Sequence, residues 1–197
     1  MQRIAIITFP MQTIKLEHLY SDKSESKSTY ISSARQIYES SFPEDERRDF
    51  NLIKALDKNT ELDFCIITNN QSDVIGILSY WNFDTFVYIE HFATQEEKRG
   101  LGIGSKILTE LVNTFSKPIV LEIELPENAL AKRRMEFYQR HGFAPQPYNY
   151  VQPPYDKTKQ SVPMLIMTKS KEEISKECYH SIIKELHQKV YNFEKQV

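Results

Sequence analysis

Glycine is scarce in this sequence: the 197 residues contain only five, and three of these, Gly100, Gly102 and Gly104, alternate within one short stretch. Glycine is the residue that best tolerates a positive φ and a close approach of the backbone to another group. A chain that uses so little glycine elsewhere but concentrates it here is predicted to have a binding site at this stretch.

Cysteine is scarcer still, with Cys65 and Cys178 far apart and outside any CxxC spacing. This excludes a disulfide framework and a cysteine zinc site, and it favours a reducing, cytoplasmic environment. His18, His180 and His187 have no metal-ligand spacing to cysteines or carboxylates, so we predict no metal site.

Long apolar runs and an excess of one charge are also missing. No run approaches the ~18 residues that a membrane span needs, and the first seven residues are too weakly basic and apolar for a secretory signal. A net charge of −2 argues against a nucleic-acid partner. We therefore expect a globular protein that binds neither membrane nor nucleic acid. Residues 1–10 contain nothing recognisable, and Met11 is the expected working start.

The residues that are present predict an α/β protein that begins with a meander. Apolar alternation and helical periodicity, separated by polar turns, predict a strand, two helices and then three antiparallel strands. The expected ranges are a strand over 13–19, a polar loop over 21–28, helices over 31–38 and 49–56, and strands over 64–68, 74–81 and 86–93.

After the glycines the pattern alternates between helix and strand. The expected elements are a helix over 103–115, a strand over 119–125, a helix over 129–141, a strand over 162–168 and a tail helix over 171–194. Asn128 or Glu127 caps the second of these helices and Gly142 follows its end, while Ser170 and Glu173 have the spacing of a capping box. The crossover connection predicts that strands 86–93 and 119–125 are parallel. The predicted fold class is α/β (α+β), with a mixed, mostly antiparallel sheet flanked by helices.

The C-terminal segment is treated separately from the rest. We divide the chain into one main domain over 1–170, which contains the glycine stretch, and a C-terminal amphipathic helix over 171–197. An apolar stripe in this helix is too regular for a helix free in solvent. It is expected to dock on its own domain or on a second subunit of a homodimer. The stripe consists of Ile174, Cys178, Ile182, Leu186 and Val190.

The glycine stretch leaves a strand and enters a helix, where free backbone amides and the positive end of the helix dipole favour phosphates. A turn without a ligand is the simpler alternative, but it does not need three glycines beside an arginine. The spacing excludes a P-loop (GxxxxGK[ST]) and a dinucleotide fingerprint (GxGxxG). It fits Arg-x-x-Gly-x-Gly, with Arg99, Gly102 and Gly104 in the defining positions.

Two blocks of sequence, in this order, resemble the GNAT superfamily of N-acetyltransferases. The first is Tyr88-Ile89-Glu90-His91-Phe92-Ala93-Thr94 followed by residues 96–107, which is similar to the family's strand, pyrophosphate loop and helix. The second, RMEFYQRHGF over 134–143, resembles the family's FYxxxGF helix end. The resemblance implies a sheet that splays open between strands 86–93 and 119–125, with acetyl-CoA in the opening.

The resemblance also implies how acetyl-CoA is held as co-substrate. The pantetheine pairs with strand backbone at Phe92, Ala93 and Thr94. The pyrophosphate binds the amides of the loop, which are those of Arg99, Gly100, Leu101, Gly102, Ile103, Gly104 and Ser105. The chain departs from the family at Arg134, where a small residue is usual, and at Ala131, where an asparagine is usual. Contacts to the adenosine half are therefore not carried over.

Acetylation of an amine needs a neutral nucleophile, a polarised thioester and a proton for the departing thiolate, without a covalent enzyme intermediate. Tyr138 matches the family's general-acid tyrosine; the alternative is a tyrosine packed on the sheet. Glu90 is the candidate base, because a partly buried carboxylate has a raised pKa. A structural ion pair of Glu90, or a role for His91 on the opposite face of the strand, is equally open.

The acceptor is an amine on a small molecule or a peptide, and its binding residues are less defined. Glu122 and Glu124 bind a cationic amine or form a solvated face, with the solvated face slightly favoured. Tyr148, Tyr150 and Tyr155, in a proline-rich loop, shape an acceptor pocket or form a rigid surface turn. The sequence thus predicts an N-acetyltransferase that moves acetyl from acetyl-CoA to a primary amine by direct attack. The alternative is a catalytically inactive CoA-binding sensor or scaffold.

Overall fold

The computed structural model describes residues 7–8, 14–20, 27–170 and 174–191. The chain forms two compact units, one from Met1–Phe42 and Asp49–Ser116, the other from Pro43–Arg48 and Lys117–Val197. Each unit has its own strands and helices and is treated by itself below. The predicted fold class, α/β with mostly antiparallel strands flanked by helices, is confirmed.

The first unit is built on an antiparallel meander, as predicted. Its strands pair in chain order, each with the next. They are β1 (Ile7–Thr8), β2 (Lys15–His18), β3 (Leu62–Thr68), β4 (Val74–Asn82) and β5 (Val87–Thr94). Because β1 pairs with β2, the expectation that residues 1–10 add no recognisable element is wrong for Ile7–Thr8. The other eight of those residues lie outside the described parts of the chain.

Helices cover the meander of the first unit. They are α1 (Lys27–Ser41), α2 (Phe50–Asn59) and α3 (Ile103–Thr114). α1 packs on β4 and β5, α2 on β3 and α3 on β5. Almost every residue of β3 and β4 is buried, which accounts for their continuous apolar runs. α1 begins earlier than the predicted helix, because Ser28 and Thr29 in its first turn are polar and exposed and show no apolar periodicity. The predicted loop over 21–28 therefore ends before residue 27, and its first six residues are outside the described ranges.

The second unit has a smaller antiparallel sheet. Its strands are β6 (Ile119–Glu124), β7 (Ala144–Pro145), β8 (Tyr150–Gln152) and β9 (Val162–Lys169), and β9 pairs with each of the other three. α4 (Ala129–Arg140) packs on β6. Asn128 caps α4 by accepting the Ala131 amide at 2.9 Å, as predicted. The parallel pairing of β5 with β6 concerns strands of different units and stays a prediction.

The tail helix of the second unit begins later than predicted. α5 (Lys176–Glu185) is capped by Ser175, whose side chain accepts the Cys178 amide at 3.2 Å, and it continues as a π-helical turn over Leu186–Val190. The predicted capping box at Ser170 is wrong, because residues 174 and 175 are not helical and the true cap, Ser175, lies five positions further along the chain. Of the predicted stripe, Ile182, Leu186 and Val190 are buried, but Cys178 is exposed and Tyr179 is buried in its place. No helix in the described parts of the chain has both the length and the apolar character needed to cross a bilayer.

Candidate active site

The glycine loop between β5 and α3 has the backbone conformation that only glycine adopts readily. Gly100 has φ +82° and Gly102 has φ +76°, and Gly102 caps α3 by accepting the Lys106 amide at 3.1 Å. A Cβ added at Gly100 or Gly102 meets nothing within 4 Å. These glycines are therefore not required by packing; they set the turn and leave space beside the backbone.

The start of α3 offers donors for an anion. In an α-helix the first amides have no acceptor within the helix, and here these belong to Ile103, Gly104 and Ser105. They lie at the positive end of the helix dipole, which favours phosphate. The Arg99 amide, in contrast, donates to the Glu96 carbonyl at 3.0 Å, so its exposed side chain is the part that can contact a phosphate. The open space, the free amides and the guanidinium together fit a pyrophosphate group.

A β-bulge interrupts β5 at Glu90. Ser79 of β4 pairs with His91 and Tyr80 pairs with Ile89, so Glu90 is the extra residue. Regular alternation predicts that Glu90 and His91 point to opposite faces. That prediction is wrong, because a bulge turns neighbouring side chains toward one side. His91 Nδ1 lies 3.8 Å from Glu90 Oε2, and both side chains are almost fully buried.

The carboxylate and imidazole at the bulge have defined partners. Trp81 Nε1 donates to Glu90 Oε2 at 2.9 Å, and Ser79 Oγ lies 3.1 Å from His91 Nδ1. The His91 ring packs edge-on against Phe42, with ring centroids 4.6 Å apart. Both groups are therefore held in fixed positions. The predicted pantetheine-binding residues Phe92, Ala93 and Thr94 follow directly, are each partly exposed and continue the pairing with β4.

The end of α4 fixes Tyr138 through a Schellman motif. The Gly142 amide donates to the Gln139 carbonyl at 2.9 Å and the Phe143 amide to the Tyr138 carbonyl at 3.1 Å. Gly142 has φ +81°, as the residue after the helix cap requires. The Phe143 ring packs on the Tyr138 ring, with centroids 5.7 Å apart. The FYxxxGF pattern thus has a physical basis, since its glycine ends the helix and its last phenylalanine holds the tyrosine.

The Tyr138 side chain is buried but its hydroxyl makes no hydrogen bond to any residue in the described ranges. The residue is 8% exposed. Burial raises its pKa to about 12; Arg134 acts to lower this pKa and Glu124 to raise it. The phenol therefore remains protonated at neutral pH and can donate its proton.

Glu122 and Glu124 of β6 are not a solvated face, and that prediction is wrong. Glu122 accepts hydrogen bonds from the hydroxyls of Tyr150, at 2.6 Å, and Tyr191, at 2.7 Å. Glu124 pairs with Arg134 Nη1 at 2.5 Å. Both carboxylates are partly buried because α4 and the residues after β9 cover this side of the strand. The sequence could not show this, since the partners lie 10 to 69 positions away.

The tyrosine-rich loop packs under the tail helix instead of forming a free surface turn. The Tyr148 ring packs at a tilt against Tyr179, with ring centroids 4.6 Å apart, and the Tyr155 ring packs against Tyr191 at 4.9 Å. Tyr150 is buried, and burial, followed by the charge of Glu122, raises its pKa well above the usual value. The tail helix therefore docks within its own chain, on the second unit.

One side-chain cluster in the described part of the chain has the composition of a metal site: His18, Asp57 and Asp63. His18 Nε2 lies 2.5 Å from Asp63 Oδ1, and His18 Nδ1 lies 3.6 Å from Asp57 Oδ1. The Phe64 amide also donates to Asp57 at 2.8 Å. The two ring nitrogens of His18 face different carboxylates. His18 therefore connects β2, where it lies, to α2 through Asp57 and to β3 through Asp63.

The sequence did not single out two charged residues of the second unit, Arg134 and Glu46. Arg134 was noted only as a departure from a family pattern, yet it pairs with Glu124. Glu46 lies in the short 3-10 turn Glu44–Glu46 and is half-buried. Burial and, to a smaller extent, the charge of Glu124 raise the pKa of Glu46, whereas the charge of Arg134 lowers it. The acidic run Glu44-Asp45-Glu46 was the available signal, but an acidic turn is usually only solvated.

Comparisons with known proteins agree on the class of this chain. Residues 30–143 match the profile of the Acetyltransferase (GNAT) family. A Bacteroides thetaiotaomicron protein of the GNAT acetyltransferases is 34% identical, with a TM-score of 0.78 over 89% of this chain and 97% of its own. YjbC of Bacillus subtilis (strain 168), named as an acetyltransferase, is 33% identical over 69 residues, which span 34% of this chain and 35% of YjbC.

One more distant structure of the same fold contains acetyl-CoA. A GNAT acetyltransferase from Elizabethkingia anophelis, solved with acetyl-CoA bound, is 14% identical, with a TM-score of 0.50 over 80% of this chain and 97% of its own. At this identity the similarity shows the fold alone. The chain belongs to the GNAT acetyltransferase family, and it is an acyl-CoA-dependent acetyltransferase.

Proposed function

We propose that this protein is an N-acetyltransferase that moves the acetyl group of acetyl-CoA to a primary amine. The observation that carries the proposal is Tyr138, a buried phenol whose hydroxyl has no hydrogen bond within the described residues and whose pKa of about 12 keeps it protonated. Such a group suits a step in which a thiolate leaves and needs a proton.

The residues divide the work of binding and proton transfer. The amides of Ile103, Gly104 and Ser105, with the Arg99 side chain, bind the pyrophosphate, and the backbone of Phe92–Thr94 pairs with the pantetheine. In the reaction the amine nitrogen forms a bond to the thioester carbonyl carbon, the carbon–sulfur bond breaks, and the sulfur takes the Tyr138 proton. The amine gives up its own proton to a base, and solvent returns a proton to Tyr138.

Glu90 is the proposed base, acting from the bulge of β5. Trp81 holds one of its oxygens and His91 lies beside it, so the carboxylate is oriented before substrate binds. The bulge also frees the strand from regular pairing at this residue. If the Glu90–Trp81 hydrogen bond has only a structural role, replacing Glu90 changes the stability of the protein but not the pH profile of kcat. The two roles are therefore separable.

The activity is tested by acetyl-CoA-dependent thiol release across a panel of small amines and peptides, with mass spectrometry of the product. Turnover with at least one amine supports the proposal. If the protein binds acetyl-CoA but none of the amines in the panel causes thiol release, it is the inactive sensor or scaffold. We also propose that the protein acts in a reducing cytoplasm. We further propose that it forms a homodimer, which sedimentation tests.

A further inference from the structure

Two side chains of β4 contact Glu90 and His91 of β5, one each. Trp81 Nε1 donates to Glu90 Oε2 at 2.9 Å, and Ser79 Oγ lies 3.1 Å from His91 Nδ1. Residues two apart along a strand share a face of the sheet, so β4 presents both partners to the bulge together. All four side chains are almost fully buried. Because solvent screens buried contacts only weakly, these two contacts act strongly on the carboxylate and the imidazole.

The His91 ring is positioned to hydrogen-bond with Ser79 and not with Glu90. His91 Nδ1 lies 3.8 Å from Glu90 Oε2, which is longer than a hydrogen bond between nitrogen and oxygen. A ring nitrogen of histidine either donates or accepts a hydrogen bond, according to the tautomer. The Ser79 hydroxyl, at 3.1 Å, is a suitable partner in both cases, because a hydroxyl both donates and accepts. Ser79 therefore holds the imidazole beside the carboxylate without joining the two.

Aromatic rings keep both polar side chains of this arrangement in place. The Trp81 ring stacks on Phe83, with centroids 5.9 Å apart and an interplanar angle of 18°. The His91 ring packs edge-on against Tyr38, at 4.8 Å, and Phe42, at 4.6 Å. Tyr38 is the titratable side chain that α1 contributes here, and a tyrosine ordinarily carries no charge at neutral pH. In a close-packed interior neither the indole nor the imidazole can turn without displacing these neighbours.

We propose that Ser79 and Trp81 are positioning residues that set the basicity of Glu90. Trp81 supplies one hydrogen-bond donor to the carboxylate, and Ser79 withholds a second donor by engaging His91. The inference rests on the proposed function, because Glu90 is the base proposed for the reaction. In this role neither residue contacts the acceptor or acetyl-CoA; both act through Glu90.

The two contacts have opposite effects on the carboxylate. A hydrogen bond donated to a carboxylate favours its charged form and makes it a weaker base. In Ser79→Ala the imidazole loses its hydroxyl partner, and Glu90 Oε2 is the acceptor that lies beside Nδ1. A second donor to Glu90 should then lower the pH at which this carboxylate titrates. Trp81→Phe removes the first donor and keeps a ring on Phe83, so it should raise that pH.

The test uses the indole of Trp81 as a direct probe. Trp81 is the single tryptophan of the chain, so its Nε1–H gives one indole signal in a proton–nitrogen NMR spectrum of the whole protein. This signal should shift as Glu90 titrates, and the shift should vanish in Glu90→Gln. In Ser79→Ala we expect the midpoint to fall by about one pH unit. Ser79→Thr retains a hydroxyl and is the conservative variant that should restore the wild-type midpoint.

The kcat–pH profile gives a second readout that a purely structural role does not move. The acidic limb should shift by about one pH unit in opposite directions, downward in Ser79→Ala and upward in Trp81→Phe. A loss of stability alone lowers the amount of active protein and leaves the position of the limb unchanged.

Two results overturn the inference: an indole signal that does not titrate in the wild type, or the same midpoint in the wild type and folded Ser79→Ala. Acetyl transfer by the same samples separates this outcome from the fate of the proposed function. Transfer to amines with unchanged midpoints in the variants removes the positioning role and keeps the N-acetyltransferase. The predicted midpoints without transfer to any amine remove the proposed function and keep the control of Glu90 by Ser79 and Trp81.

Discussion

At the scale of single residues, Gly102 connects local conformation to ligand binding. Its φ of +76° strains any side chain, while an added Cβ has no contact within 4 Å among the described residues beyond its chain neighbours. In Gly102→Val we expect a modest loss of stability, about 1–2 kcal/mol from the backbone strain, and a loss of acetyl-CoA affinity of at least about tenfold. Calorimetry on the folded variant measures the affinity. Unchanged affinity means that the pyrophosphate binds elsewhere.

Glu90 provides a second prediction, which separates a base from a structural carboxylate. Glu90→Gln preserves the shape and can still accept the Trp81 hydrogen bond, so the fold should remain intact. We expect kcat to fall by about 10²-fold and the acidic limb of the kcat–pH profile to disappear, because the base that must be deprotonated has been removed. A profile identical to that of the wild type assigns the base to His91 or to water.

Tyr138 also makes a prediction about ionisation. An unfolded tyrosine has a pKa of about 10, whereas Tyr138 in the folded protein has a pKa of about 12. Between these values the unfolded chain loses a proton that the folded chain keeps, so this contribution to stability is intact below pH 10 and declines as pH rises toward 12. Ultraviolet difference titration of wild type against Tyr138→Phe should show one tyrosine ionising near the upper value. Ionisation of that tyrosine near pH 10 contradicts the buried hydroxyl.

At the scale of elements, the tail helix is a structural part of the second unit. Its buried residues Ile182, Leu186 and Val190 pack inward, and Tyr191 donates to Glu122. Each buried aliphatic side chain contributes roughly 1.5–3 kcal/mol, so truncation after Ser170 should remove a large share of the unfolding free energy. We expect a melting temperature at least about 10 °C lower. An unchanged melting temperature in the truncated protein means that the tail does not stabilise this unit.

The same element has a narrower test in one hydrogen bond. Tyr191→Phe keeps the ring packed on Tyr155 but removes the donor to Glu122. A hydrogen bond to a charged group contributes about 1.5–3 kcal/mol, so urea unfolding should show a loss of that size. Tyr148→Phe serves as the control, because only ring contacts are described for Tyr148. Equal losses in the two variants mean that the Glu122 bond contributes nothing specific.

Elements with strong local signals were predictable, and those fixed by distant partners were not. The strands and helices from β3 to α4 lie within a few residues of the predicted ranges, because apolar periodicity and caps such as Asn128 are local. The predicted start of the tail helix was wrong: serine is a common cap at either position, and the structure uses Ser175 instead of Ser170. The bulge at Glu90 was missed because it is a property of how β5 pairs with β4, which the residues of β5 alone do not show.

At the scale of the whole molecule, the family and the class of reaction were predictable from two motifs. The glycines of these motifs have a local role, because Gly102 and Gly142 both adopt a positive φ. This loop and this helix end therefore favour glycine at these positions. The charged partners were not predictable. Glu124 and Arg134 lie on different elements, and only folding reveals that they pair and that their charges act on both Glu46 and Tyr138.

The central claim is that this chain acetylates amines with Tyr138 as the proton donor. The most direct measurement is steady-state thiol release by wild type and Tyr138→Phe with the best amine of the panel, together with acetyl-CoA affinity. Tyr138→Phe removes one oxygen and leaves the ring packed on Phe143, so cofactor binding and stability should change little. Tyr30→Phe, a partly exposed tyrosine of α1, is the control. We predict that kcat falls by about 10²-fold or more in Tyr138→Phe alone, at constant acetyl-CoA affinity. Equal kcat in Tyr138→Phe and wild type contradicts the account.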